Sequence, residues 1–321
     1  MNFAAGYGKT NVDLLFDKMP RLPEEGEEIY TDKFSLCIGG GVPGTMITLS
    51  RLGVPTKTVT ELSDDMFSRF AKEEFEKAGV EPVNVFKGKN IAVNITAAAI
   101  TPKDRTFVSY GNEENAVDGE DVYNALKGAR AVAMHTGFPE VYERLKKEGT
   151  TVILDTGFYD DMTLEGYERI LNIADYFLPN RTEALKLTKT DDPREAAKIL
   201  SKYLDTVIVK LDKDGCLIYK DGKFTFVGSI EEFVRVDSTG AGDAFFAGFM
   251  YGIMKGEPVE KCVLYGNLTG GKCVTAVGCT TVYLTEEELV SSDFIGDPHS
   301  CIVDLPLIDV VGGNMIKIVA W

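Results

Sequence analysis

From about residue 120 onward, short apolar runs alternate with amphipathic stretches, and this alternation narrows the fold more than any other feature of the chain. Residues 131–135, 151–155, 175–178 and 206–211 read as strands; 140–147, 164–173, 194–203, 241–254 and 259–274 read as helices. Strands separated by helix-length segments cannot close as hairpins, so they predict a parallel sheet with helices packed on it. His135, Asp155, Asn180 and Lys210 stand at or just past the four strand ends. An open parallel sheet binds ligands at that edge, although polar residues there also serve ordinary solvation.

The string Asp237-Ser238-Thr239-Gly240-Ala241-Gly242-Asp243 runs straight into the apolar helix Ala244-Phe245-Phe246-Ala247-Gly248-Phe249. Small residues at a helix N-terminus let backbone N–H groups close on an anion, and the helix dipole favours negative charge there. A carboxylate in such a cradle repels phosphate and needs another task. Asp243 is suited to take the proton of an attacking hydroxyl while the N–H groups stabilise charge on a transferred phosphoryl group. The structural alternative is a turn capped by Ser238 or Thr239, with Asp243 favouring the first helical turn.

This string resembles the signature of the PfkB, or ribokinase-like, family of sugar and nucleoside kinases. Two further stretches carry the resemblance: Gly39-Gly40-Gly41-Val42-Pro43-Gly44 leading to Arg51-Leu52-Gly53, and Asn180-Arg181-Thr182-Glu183. Gly44 departs from the family, which usually has Asn there, and the missing amide bears on substrate choice more than on fold. Asn11-Val12-Asp13 is similar to a sugar-binding segment. Lys210-Leu211-Asp212-Lys213-Asp214-Gly215 is similar to a nucleotide loop, with Asp212 replacing a usual Gly.

The resemblance implies a ribokinase-like α/β fold, a central mostly parallel sheet flanked by helices, with a small β lid from residues of about 10–37 and 88–112. It covers about residues 1–290 and leaves 291–321 as an extension of unknown role. It implies an ATP-dependent kinase acting on a hydroxyl of a sugar or sugar-like molecule. Asp243 would be the base, with Gly240, Ala241 and Gly242 as backbone donors. Asp13, Gly39, Gly40 and Gly41 would face the acceptor, with Gly44 beside them. Asn180 and Glu183 would organise Mg²⁺ and its waters; Lys210, Gly215 and Asn267 would serve the nucleotide. Asp237 and Thr239 lie where some relatives bind an activating monovalent cation such as K⁺. A homodimer through the lid belongs to the same expectation.

Bulk properties agree. Fifty Asp and Glu against 34 Lys and Arg give a formal charge of −16, which argues against nucleic-acid or anionic-membrane partners. No apolar run approaches a membrane span and no secretory signal is visible, so a cytoplasmic location is expected. Cys37, Cys216, Cys262, Cys273, Cys279 and Cys301 form no C-x-x-C pair, and His135 and His299 are the only histidines, which argues against zinc. His135 reads as a strand-end residue beside the substrate or as a packing histidine.

Two rivals stand beside the kinase. Gly39–Gly44 also satisfies G-x-G-x-x-G after an apolar run, with Glu61 closing the next one, which would suit an NAD-dependent oxidoreductase. A non-catalytic sugar- or nucleotide-binding regulator on the same fold is the other, and the carboxylate of Asp243 speaks against it. The tail, ending Met315-Ile316-Lys317-Ile318-Val319-Ala320-Trp321, is apolar and is expected to pack as an added β segment on its own domain or on a neighbouring subunit.

Overall fold

The computed structural model describes residues 2–114, 116–135, 137–157, 161–230, 233–278, 280–291, 309–311 and 315–317. The chain opens with β1 (Ala4–Tyr7), leaves for β2 (Asn11–Asp17) and β3 (Lys33–Gly39), and returns through α1 (Gly41–Arg51). β4 (Thr56–Thr60), α2 (Met66–Lys77) and β5 (Val80–Asn84) follow, then a second excursion, β6 (Asn94–Ile100) and β7 (Arg105–Tyr110). Next come α3 (Gly119–Leu126), β8 (Ala131–Met134), α4 (Pro139–Lys147), β9 (Thr151–Leu154), α5 (Leu164–Ile173), β10 (Tyr176–Phe177), α6 (Arg181–Thr188), α7 (Pro193–Leu200) and β11 (Thr206–Lys210). A hairpin, β12 (Cys216–Lys220) and β13 (Lys223–Val227), precedes α8 (Ala241–Lys255) and α9 (Val259–Cys273). Last are α10 (Glu286–Ser291), β14 (Asp309–Val311) and β15 (Met315–Lys317).

Nine strands form one sheet in the order β13-β12-β11-β10-β9-β8-β1-β4-β5, parallel throughout except for the β12–β13 hairpin at one edge. The predicted strands and helices are all present, with ends that agree to within three residues. Adjacent strand residues point to opposite faces, so Ala4 and Ile208 join a core under α1, α8 and α9, while Ala5, Val207 and Val209 join a second core under α3 to α7. From β1 the chain steps outward to β4 and β5, then crosses to β8 on the other side of β1. That reversal opens a crevice at the carboxyl ends of β1 and β8, the place where open α/β sheets bind ligands.

The two excursions pair as a separate four-stranded sheet, β3-β2-β6-β7, the expected lid. Its register puts Asp13 opposite Cys37 and Thr96, on the face that bounds a cavity of about 70 Å³ shared with Asp237, Thr239 and Gly278. Phe16, Phe34, Leu36 and Val108 alternate onto the other face, where all four are exposed. The dinucleotide reading of Gly39–Gly44 fails at this point. A nucleotide fingerprint needs a parallel strand of the main sheet before its glycines, and the strand before these is β3, antiparallel to β2 in the lid. The described tail strands β14 and β15 pair with each other and with no other described strand, so these two strands extend neither sheet. Cys279, His299, Cys301 and the final residues 318–321 lie outside the described residues.

Candidate active site

α8 starts at Gly240, which takes φ +76°, and no side chain caps this end of the helix. Asp243 sits in its first turn. Burial pushes the Asp243 carboxyl up to about 6, the charge of Asp155 adds to the rise, and Lys210 opposes it. Thr45 on α1 donates its hydroxyl to the Asp243 carbonyl at 3.2 Å, fixing one helix start against the other.

The glycine run lies between two carboxylates. A Cβ at Gly39 would collide with Oδ2 of Asp13, and one at Gly41 would stand 3.2 Å from Oδ1 of Asp243 and 3.5 Å from the His135 ring. Gly40 between them takes φ +97° with Lys9 O where a side chain would begin. The run therefore forms a floor without side chains, with Asp13 at one end and Asp243 at the other. Burial pushes Asp13 up to about 6 as well. Burial lowers His135 against the pull of Asp155, so a largely neutral imidazole borders the floor. Gly44, one helical turn on, is different: its backbone is ordinary helix, and a Cβ would meet Asp243 only at 3.8–3.9 Å.

Three strand ends supply a charged cluster. Lys210 Nζ lies 3.1 Å from Asp155 Oδ2, both side chains nearly buried, and it would stand 3.8 Å from a Cβ on Gly242 of the cradle. Burial drags Lys210 down, yet Asp155, Glu183 and Asp243 hold it above the usual lysine value. Asn180 and Glu183 form a reciprocal capping box: Asn180 Oδ1 accepts the Glu183 N–H at 2.9 Å, and Glu183 Oε2 accepts the Asn180 N–H at 2.8 Å. Glu183 is buried, and that burial, with Asp155 nearby, raises its carboxyl despite Lys210. Three carboxylates thus surround one ammonium. Among the described residues no three acidic, histidine or cysteine side chains converge tightly enough to ligate a metal alone. The excess negative charge fits a divalent ion held through water and ligand phosphate.

Other sequence-predicted residues also make structural contacts. Asn267 gives its amide to Gly228 O at 2.8 Å and accepts from Cys216 Sγ, tying α9 to the β12–β13 hairpin. Gly215 is pressed onto the exit of β13, where a Cβ would meet backbone atoms of residues 227–229. Asp212 adopts φ +55°, keeping the left-handed turn for which the family uses Gly. Asp237 and Thr239 hold a cation already: Arg105, from lid strand β7, donates through Nη1 to Asp237 Oδ1 and to Thr239 Oγ1, the latter at 2.6 Å. That departs from the expected monovalent ion. Burial works against ionisation of Asp237, but N–H and hydroxyl donors of Thr239, Arg105 and the Gly278 N–H hold its carboxyl below the usual range. Arg105, Asp155 and Thr45 were not assigned to the site from sequence; Asp155 alone carried a signal, as a strand-end acid.

The profile of the pfkB family carbohydrate kinases matches residues 1–286. A second profile, the C-terminal domain of glyceraldehyde 3-phosphate dehydrogenase, matches residues 274–321. An Archaeoglobus fulgidus protein described as an uncharacterized sugar kinase is 31% identical over 242 residues, 72% of this chain and 95% of that protein. The 5-dehydro-2-deoxygluconokinase of Geobacillus thermodenitrificans is 25% identical over 312 residues, 88% of this chain and 90% of its own length. The structure of Arabidopsis thaliana ribokinase complexed with ribose and ATP matches with a TM-score of 0.75 at 23% identity, covering 91% of this chain and 98% of that one.

Proposed function

The chain belongs to the pfkB family of carbohydrate kinases and has a ribokinase-like α/β fold, and on that footing we propose that Asp243 is the base in ATP-dependent phosphorylation of a sugar-like hydroxyl. The observation that carries this reading is the place of Asp243: a buried carboxyl, raised to about 6, inside an uncapped helix N-terminus and over the glycine floor. The acceptor lies along Gly39, Gly40 and Gly41, with Asp13 accepting from its hydroxyls. Asp243 takes the proton of the attacking hydroxyl, and the N–H groups of Gly240, Ala241 and Gly242 face the transferred γ-phosphoryl group. Lys210, beside the cradle, adds positive charge near the phosphates. Mg²⁺, when bound, would neutralise phosphate charge next to Asn180 and Glu183.

Gly44 supports an acceptor bulkier, or differently hydroxylated, than plain ribose near that position, because room for a side chain remains beside Asp243. Relatives named for 5-dehydro-2-deoxygluconate are in keeping with this. The kinase unit is read as residues 1–290, with 291–321 appended; the family match ending at 286 and the self-paired tail strands support that division. The exposed apolar face of the lid supports a homodimer in which two lids meet. A reducing, cytoplasmic setting fits the free thiols of Cys37, Cys216 and Cys262, and no described helix is long and apolar enough to cross a membrane.

A coupled ADP-release assay over pentoses, hexoses, sugar acids and nucleosides, with NAD-linked oxidation as a control, tests the reading. Acceptor-dependent ADP release is expected. Oxidation without ADP release, or neither activity with any acceptor, would overturn it.

A further inference from the structure

On the kinase reading above, we infer that Arg105 is a positioning residue for the phosphate cradle: a cation tethered to the lid that occupies Asp237 and Thr239 in place of a monovalent metal ion. The side-chain oxygens of Asp237 and Thr239 are already engaged. Asp237 Oδ1 receives Arg105 Nη1, the Thr239 N–H at 3.0 Å and the Thr239 hydroxyl at 2.9 Å, while Oδ2 receives the Gly278 N–H at 3.3 Å. Thr239 Oγ1 in turn accepts from the same guanidinium. A bare ion would have to displace a fixed charge of equal sign that makes directed hydrogen bonds.

The bonds fall where they shape the cradle. Thr239 immediately precedes Gly240, whose left-handed turn starts α8, and its Oγ1 and N–H are both fixed through Asp237. Arg105 opens β7 at the edge of the lid sheet, opposite Ile100, and borders the same cavity as Asp13 and Thr96 on the neighbouring lid strands. One side chain therefore ties the wall of the acceptor cavity to the loop that orders the phosphoryl-binding N–H groups. Asp237 is only 10% exposed at its side chain, so removing the guanidinium leaves a poorly solvated carboxylate with no cation beside it. The loop should then loosen, and a small cation should become useful.

The test compares wild type with Arg105→Gln and Arg105→Lys. Wild type should show the same turnover and melting temperature in sodium and potassium salts. Arg105→Gln should lose about tenfold or more in kcat with a smaller change in KM for ATP, the scale expected when reacting groups are misplaced. Potassium or millimolar guanidinium should restore part of that loss and raise the variant's melting temperature, whereas Arg105→Lys should stay indifferent to potassium. Amide hydrogen exchange over residues 238–243, measured without ATP or acceptor, should be faster in Arg105→Gln and slow again with guanidinium. Potassium activation of wild type, or unchanged exchange in Arg105→Gln with no rescue by either cation, would overturn the inference. Exchange reads the loop independently of catalysis, so it decides on Arg105 even if wild type phosphorylates nothing, a result that would strike the kinase reading instead.

Discussion

The ammonium of Lys210 lies 3.1 Å from the carboxylate of Asp155 and 3.8 Å from where a Cβ on Gly242, the residue before Asp243, would stand. Burial raises the pKa of Asp243 most, Asp155 adds to the rise and Lys210 opposes it, so the proposed base is tuned in part by two residues at strand ends. Replacing Asp243 by Asn removes the proton acceptor and keeps the shape. Asp243→Asn should leave the fold and ATP binding in place and lower kcat by about 10²-fold or more. Calorimetric ATP binding beside steady-state kinetics checks this; near-normal turnover would remove Asp243 from the role.

Activity should fall on the acid side through about pH 6. Burial pushes Asp243 and Asp13 up to about 6, and the proposed roles need both as carboxylates, so kcat/KM should drop with a log slope of about two. Asp13→Asn should reduce the slope to about one. The sign for stability is opposite. Both carboxyls hold protons to higher pH when folded than when unfolded, so they penalise the folded state as pH rises from about 4 to 6 and beyond. Asp13→Asn should thus raise the melting temperature at pH 8 more than at pH 4. A single-proton acid limb in wild type would mean that one of the two carboxyls is idle.

Glu183 has two tasks that one substitution can separate. Its carboxylate closes the capping box with Asn180, a contact whose loss costs about 1 kcal/mol, and it contributes to the surplus charge around Lys210. Glu183→Gln keeps an acceptor for the Asn180 N–H and removes the charge. It should melt within a few degrees of wild type yet require more Mg²⁺ for half-maximal activity, whereas Glu183→Ala should also lose stability. Identical Mg²⁺ titrations for all three proteins would reduce Glu183 to a cap.

Gly44 has no positive φ to protect, and a Cβ there meets Asp243 at ordinary contact distance. Gly44→Asn should therefore fold. It should gain kcat/KM on common pentoses or hexoses and lose it on the native acceptor. Wild type already phosphorylating ribose at roughly 10⁴ M⁻¹s⁻¹ or better would refute the idea of an unusual acceptor.

The outer lid face offers a test of assembly. Phe34 is 53% exposed, its ring tilted against that of Phe16 with centroids 5.1 Å apart, across β2 and β3. Burying such a face between two copies would bring together apolar side chains that a charge disrupts. Phe34→Glu should shift the protein from dimer to monomer in analytical ultracentrifugation. A wild type that sediments as a monomer at all concentrations would end the dimer proposal.

Sequence revealed what is local. The cradle from Asp237 to Asp243, the parallel strands and their polar ends are written in contiguous residues, because helix starts and strand periods are short-range. The rest depends on encounters across the chain. Arg105 meets Asp237 from 132 residues away, on a strand whose own pattern gives no hint of a partner. Asn267 sits at the position the family resemblance pointed to, yet its amide is consumed by a backbone carbonyl that only the folded hairpin supplies. The glycine run looked equally suited to a dinucleotide because spacing cannot reveal that β3 belongs to the lid rather than to the parallel sheet.

The floor of Gly39, Gly40 and Gly41 also limits how the enzyme can change. A side chain added there strikes Asp13 or the Lys9 carbonyl, or crowds Asp243, so variation at these positions disturbs the proposed acceptor-binding and base carboxylates before it can alter which acceptor is chosen. New preferences must come from above, through lid residues such as Leu15, Thr96 and Phe107 that bound the cavity, or from Gly44, the nearby position in α1 with room beside Asp243. A directed-evolution library spread over those four positions would sample acceptor choice while leaving the reacting atoms where they are.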